Sequence, residues 1–295
     1  MITTEHFSAD RLASAFSTAV FKELAQSVPD ISARKRIALI AQYGSAHSDA
    51  SLGDAFENAY KLLLRDYRNE YVFKNGLVSK IIFGKYSPRT ASALMELRMG
   101  RSWADVMVVN GTSTTYEIKT DLDQFGRLAS QLADYTSRSE FVNVVTSDKR
   151  ASNAESHLPP HVGIVALRKN GALVTLRQAK SNLDHMSAAD LYSMLRTQEA
   201  LNILGDLTGY TADVPRGHLW KRLRELFAEL PVRSAHAGAI LQLRARGRTA
   251  AELSTTKGFP PSLRALAFST ELSAIGRRRV LDRLSAPVSL ALDGC

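Results

Sequence analysis

The segment that most constrains this chain is Ser102 to Asp121, SWADVMVVNGTSTTYEIKTD, where two β-rich runs flank Asn110-Gly111. Asn-Gly between such runs signals a hairpin, because both residues tolerate the positive φ of a tight turn. Side chains alternate along a strand, so Tyr116, Ile118 and Thr120 share one face while Glu117, Lys119 and Asp121 share the other. With the loop centred on Gly111, residues whose numbers sum to 222 stand opposite each other, and Asp105 faces Glu117. Directly paired side chains start about 4.5 to 5.5 Å apart at Cβ.

Two carboxylates at that separation repel unless one is protonated, water screens them or a cation is supplied. A hard divalent ion resolves the conflict: magnesium takes oxygen ligands, commonly one or two carboxylates completed by water and substrate phosphate. Lys119 would stand about 6 to 7 Å further along the strand, within reach of a phosphoryl oxygen. Glu-Ile-Lys by itself is a common tripeptide whose charges usually lie on a solvated face. Here an acid stands in register on the partner strand, apolar residues flank both strands, and a helical segment follows at once.

Elsewhere the chain alternates helical and strand periodicity. Leu12, Phe16, Val20 and Leu24 mark a helix over Ser8–Val28; Gly44–Gly53 reads as a loop; Ala55–Tyr67 and Gly76–Tyr86 read as helices. Strands are expected near Leu94–Met99, Ala104–Asn110, Thr115–Thr120, Phe141–Thr146 and Val162–Leu167. Between the third and fourth, Gln124–Ser137 carries the stripe Phe125, Leu128, Leu132, Tyr135 and forms a helix. Beyond Leu176, helices are clearest over Ala189–Leu204, His218–Leu230 and Ala235–Arg246. The expected division is an N-terminal helical extension (1–54), a core (55–180) and a helical, basic C-terminal module (181–295).

The net charge of +9 is unevenly placed. From Arg216 to Arg283, 14 basic residues meet 5 acidic ones, and twelve of the 14 are Arg. Arg offers a planar donor fork matched to phosphate oxygens, so this is either a polyanion-binding face or an ordinary solvated one. Cys295 is the only cysteine, which rules out an intrachain disulfide and a cysteine zinc cage and fits a reducing cytoplasm. No signal peptide or membrane span is expected, since Met1–Asp10 lacks Lys and Arg and no long apolar run occurs.

Asp105 followed by Glu117-Ile118-Lys119 resembles the PD-(D/E)XK nuclease superfamily, and within it an uncharacterised bacterial family in which GRSWADVMVVNG precedes YEIKTD and a helix. Gly100–Asp123 carries most of the likeness, with a weaker part reaching about Arg246; Ala104 stands where the motif's name puts proline. The resemblance implies an α/β, restriction-endonuclease-like αβββαβ core with a mixed central sheet. It implies a metal-dependent nuclease, DNA favoured over RNA, in phage defence or as a toxin-type effector. The alternative is a catalytically inactive nucleic-acid-binding regulator or mobile-element accessory protein. Magnesium, with manganese as a substitute, would be held by Asp105, Glu117 and the Ile118 carbonyl, beside Lys119. Gln131 and Tyr135 match a Gln-x-x-x-Tyr that several members carry on the next helix. Glu96 is the candidate upstream acid, with Glu57 and Glu70 as alternatives. Asp123 reads as a helix cap, His157 and His161 as loop residues, and Trp103 and Tyr116 as packing groups.

Overall fold

The computed structural model describes residues 8–45, 49–121 and 123–293. Part of the Gly44–Gly53 loop, the start of the chain and Cys295 lie outside the described residues.

The chain opens with helices α1 (Ala9–Ala13), α2 (Thr18–Glu23), α3 (Ile31–Gly44), α4 (Leu52–Asp66) and α5 (Glu70–Leu77), the last running into a π-helical stretch, Val78–Lys85. The single helix expected over Ser8–Val28 is interrupted. The Ser14 hydroxyl donates to Arg11 O at 2.6 Å, and Ser17 Oγ accepts from Val20 N at 3.4 Å to restart the chain as α2. Serine side chains compete in this way with the helix's own backbone bonds. Helix α3 has no counterpart in the sequence expectations.

Six strands follow: β1 (Ser92–Met99), β2 (Ser102–Val109), β3 (Ser113–Lys119), β4 (Phe141–Ser147), β5 (Gly163–Leu167) and β6 (Leu173–Arg177). They form one mixed sheet in the order β1-β2-β3-β4-β5-β6. β3-β4 and β4-β5 are parallel and the other pairs antiparallel. Parallel neighbours need a crossover, and α6 (Leu128–Thr136) and α7 (Asp148–His157) supply the two. β4 and β5 are buried along nearly their whole length, as expected of apolar runs covered on both faces. The five expected strands are all present; α7 and β6 were not anticipated. His157 closes α7, its Nδ1 2.8 Å from Asn153 O, instead of lying in a loop.

Then come α8 (Ala188–Tyr192), α9 (Thr197–Thr208), α10 (Arg216–Ala228), α11 (Val232–Arg246), α12 (Arg248–Thr255), α13 (Arg264–Ser269), α14 (Ala274–Ser285) and α15 (Val288–Asp293). The expected helix over Ala189–Leu204 is split, because Arg196 N donates to Glu199 Oε2 at 2.7 Å and starts α9 afresh.

The chain gathers into two units, neither bounded at residues 54 or 180. One comprises Lys80–Arg168 and Leu173–Arg248; the other joins Met1–Ser79, Lys169–Ala172 and Thr249–Cys295. The basic C-terminal segment is therefore divided between them. In the sheet unit, Phe227, Ala235, Ala239 and Leu243 share a core with Met107, Leu132 and Tyr135. In the helical unit, Tyr71 donates to Ser262 O at 2.5 Å, and Arg283 donates to the carbonyls of Leu24 and Gln26 at 2.6 and 2.7 Å. Arg283 is one of the arginines counted in the basic segment, and it is occupied in holding that unit together. No helix among the described residues is long and apolar enough to cross a membrane.

Candidate functional site

The β2-β3 hairpin has the expected register: Val106 pairs with Tyr116, Met107 with Thr115, Val108 with Thr114 and Val109 with Ser113. Its three-residue loop is centred on Gly111, whose φ of +67° is where glycine is favoured, and Asn110 N donates to Thr112 O at 3.0 Å. The ladder ends at Val106–Tyr116. Beyond it a side chain substitutes for a strand: Asp105 Oδ2 accepts from Ile118 N at 2.7 Å.

That contact places the Asp105 carboxylate against the Glu117–Ile118 peptide. Glu117 is 2% exposed and Lys119 9%. Lys119 Nζ donates to Glu117 Oε1 at 2.8 Å and to Gln131 Oε1 at 3.0 Å, while Tyr135 OH lies 2.7 Å from Glu117 Oε2 and 2.9 Å from Trp103 O. Gln131 and Tyr135 are four residues apart on α6 and so reach the same point. A buried carboxylate is tolerable only when paired and hydrogen-bonded, and Glu117 is both. The Tyr135 phenol is pushed well above its ordinary pKa, first by burial and then by the negative charges of Glu117 and Asp105. Both carboxylates therefore act on one hydroxyl, and the sequence-derived Asp105, Glu117, Lys119, Gln131 and Tyr135 are brought together.

Glu96 takes a different position. Met95 pairs with Val106 and Leu97 with Ala104, so Glu96 stands across from Asp105 but makes no ladder pair. Its φ is +50°, the only positive value at a non-glycine residue among those described, and its side chain is exposed. Alternation reverses there. Leu94 and Met99, an odd number of residues apart, share one core with Met107, and Met99 Sδ accepts from Thr115, the residue opposite Met107. Such strain costs on the order of 1–3 kcal/mol and persists where surrounding structure enforces it. Glu57 and Glu70 are engaged in the helical unit, with Ser262 N at 2.5 Å and Lys74 Nζ at 2.5 Å.

Asp123 does not cap the helix. Its Oδ2 accepts from Thr120 N and Oγ1 at 2.8 and 2.7 Å, and α6 starts later, at Leu128, without a side-chain cap. Asp121 is bonded to the Ser147 hydroxyl. Tyr116 is half-buried, as a packing group should be, whereas Trp103 is 60% exposed and is not one. Sequence reasoning assigned this residue to packing; in the structure its neighbour directly opposite on β1 is Arg98. The same reasoning missed a buried pair in the same unit, Ser113 Oγ and His236 Nε2 at 2.8 Å.

Among the described residues no three His, Cys, Asp or Glu are grouped to hold a metal ion. The hard oxygen donors available at this point are the two carboxylates and the Ile118 carbonyl. Magnesium usually completes its shell with water and phosphate, so this donor set fits it.

The model of the family described as bacteriophage P4 protein cII matches residues 64–250, which takes in the whole sheet and the site. The chain belongs to that family. Protein cII of Enterobacteria phage P4 is 28% identical over 111 residues, covering 37% of this chain and 38% of the phage protein. The chain thus matches well under two thirds of that relative's length. A solved protein of unknown function from Silicibacter pomeroyi aligns over 43% of this chain and 87% of its own, at 16% identity. The TM-score is 0.29, too loose a superposition to define a shared fold.

Proposed function

We propose that this member of the phage P4 cII family is a metal-dependent nuclease with a restriction-endonuclease-like core. The observation that carries the reading is the Asp105–Ile118 contact, which joins the two halves of the Asp…Glu-x-Lys motif in space, 2.7 Å apart. The order of helix, three-strand meander, helix and parallel strand supports it.

Asp105, Glu117 and the Ile118 carbonyl would hold magnesium or manganese. Bound there, the ion would supply Lewis acidity towards a phosphate and would lower the pKa of a coordinated water. The chain's own residues do the rest. Lys119 offers a cation to the charge that grows on the phosphoryl oxygens as the phosphorus becomes five-coordinate. Gln131 fixes the direction of Nζ, and Tyr135 holds Glu117 so that its carboxylate cannot turn away. DNA is the favoured substrate.

A second reading is a nucleic-acid-binding accessory of a mobile element without catalysis. It is favoured by the closed Lys119–Glu117 pair, 2.8 Å, whose members are satisfied as they stand, and by the phage protein that gives the family its name. Incubating purified protein with plasmid, linear and single-stranded substrates in magnesium, manganese or EDTA separates the two. Cleavage that needs the cation supports the nuclease; binding without cleavage in every condition supports the accessory.

A further inference from the structure

The chain has two tryptophans, and both stand in solvent: Trp103 is 60% exposed and Trp220 63%. Each has an arginine beside it. Arg98 lies directly opposite Trp103 in the β1-β2 ladder, and the Arg224 guanidinium sits 5.9 Å from the Trp220 ring centroid on α10. Arg101 is exposed near the first, where Asp134 accepts from Arg101 N and the Ser102 hydroxyl at 3.2 and 2.7 Å, and Arg216 and Lys221 are exposed near the second. Tryptophan supplies a large apolar face that folding normally buries. Left out among cations, that face suits a flat aromatic group attached to an anion.

Trp103 also has a fixed relation to the site. Its carbonyl oxygen is 2.9 Å from the Tyr135 hydroxyl, which is 2.7 Å from Glu117 Oε2. The indole therefore leaves the main chain one hydroxyl away from a proposed cation ligand, within the reach of one or two nucleotides.

We propose that Trp103 is a stacking platform for an unpaired base of the strand held at Asp105, Glu117 and Lys119, with Arg98 on a neighbouring phosphate. The inference rests on the nucleic-acid reading of that site and narrows its substrate class. In a duplex both faces of a base are covered by its neighbours, so an indole finds a free face only on single-stranded or locally unpaired nucleic acid. Base–aromatic stacking accepts any base, so this contact selects for strandedness and not for sequence.

The test is binding of labelled oligonucleotides to the full chain in EDTA, read by fluorescence anisotropy. The ligands are single-stranded DNA, RNA of the same sequence, the blunt duplex and an abasic strand that keeps the phosphates but lacks the bases. Tighter binding of a base-bearing single strand than of duplex or abasic strand is expected, and the better of the DNA and RNA arms identifies the sugar. Trp103→Ala should weaken the base-bearing strand roughly 5- to 150-fold, towards the abasic level, and Trp103→Phe should keep most of the affinity. Equal affinity for the abasic strand, no binding of any strand, or a Trp103→Ala protein that binds like wild type overturns the proposal. Cleavage in magnesium is read separately. Trp103-dependent binding without cleavage removes the hydrolytic reading alone, and cleavage unaffected in a Trp103→Ala protein of undiminished affinity removes this one alone.

Discussion

The Asp105 carboxylate accepts the backbone N–H of Ile118 at 2.7 Å, so a side chain of β2 makes the bond that the next ladder position would otherwise make. The contact serves structure and, in the proposed function, chemistry as well, and two substitutions separate them. Asp105→Asn keeps an acceptor for Ile118 N and loses the charge. Asp105→Ala loses both and leaves a part-buried N–H unpartnered, at a cost of about 1–3 kcal/mol. Urea denaturation should therefore show the Asn variant within about 1 kcal/mol of wild type and the Ala variant clearly less stable, while both lose cleavage. An Asn variant that cuts normally would make Asp105 a structural residue only.

Tyr135→Phe removes the hydroxyl shared by Glu117 and Trp103 and should destabilise the chain by about 1–3 kcal/mol at neutral pH. The pH dependence has a definite sign. The phenol's folded pKa is raised, first by burial and then by Glu117, so the stability it contributes is complete below the ordinary value of 10 and is lost as pH rises above it. The gap in unfolding free energy between wild type and Tyr135→Phe should be flat from about pH 6 to 9 and should narrow above about pH 10. A gap that widens there would contradict the burial argument.

His236 behaves in the opposite direction. Burial holds its pKa below the usual 6.5, against a smaller upward pull from Glu140, with Ser113 Oγ 2.8 Å from Nε2. Its contribution is present above the unfolded value of 6.5 and is lost as pH falls through the folded one. Wild type should lose more thermal stability between about pH 7 and pH 5 than His236→Gln does. Parallel melting curves for the two proteins across that range would refute this.

Local patterns were legible in the sequence wherever a single segment decides the outcome. The register that sets Asp105 against the Glu117 strand followed from alternation and a loop centred on Gly111, and the i, i+4 relation of Gln131 and Tyr135 followed from helical period. What stayed hidden depends on residues far apart in the chain. The reversal at Glu96 exists because Leu94 and Met99 are both drawn into one core, and no window around Glu96 contains that information. The basic C-terminal stretch reads as one module, yet Phe227 lies in the same core as Tyr135 while Arg283 binds carbonyls some 260 residues earlier. Breaks inside helices, as at Ser14 and Arg196, come from single side-chain bonds that the apolar stripe conceals.

On α10, Arg216, Lys221 and Arg224 are exposed. If they meet phosphates, replacing all three by Gln should lower the slope of log affinity against log salt by about 2 to 3, at roughly 0.7 to 0.9 per contact. Circular dichroism should report an unchanged fold. An unaltered slope would make this a solvated basic face without a polyanion partner.

The central claim is that the Asp105, Glu117 and Lys119 cluster cuts phosphodiester bonds. Lys119 tests it most sharply, because its ammonium is assigned to charge that exists only as the reaction proceeds. Single-turnover cleavage in magnesium should be slowed about 100- to 1000-fold by Lys119→Ala, which corresponds to about 2.7–4 kcal/mol, with affinity for the strand nearly unchanged. Lys119→Arg should not restore the rate fully, since the bulkier planar guanidinium cannot take the place of Nζ between Glu117 and Gln131. A wild-type protein that cuts no substrate, or a Lys119→Ala protein that cuts at the wild-type rate, would contradict the account.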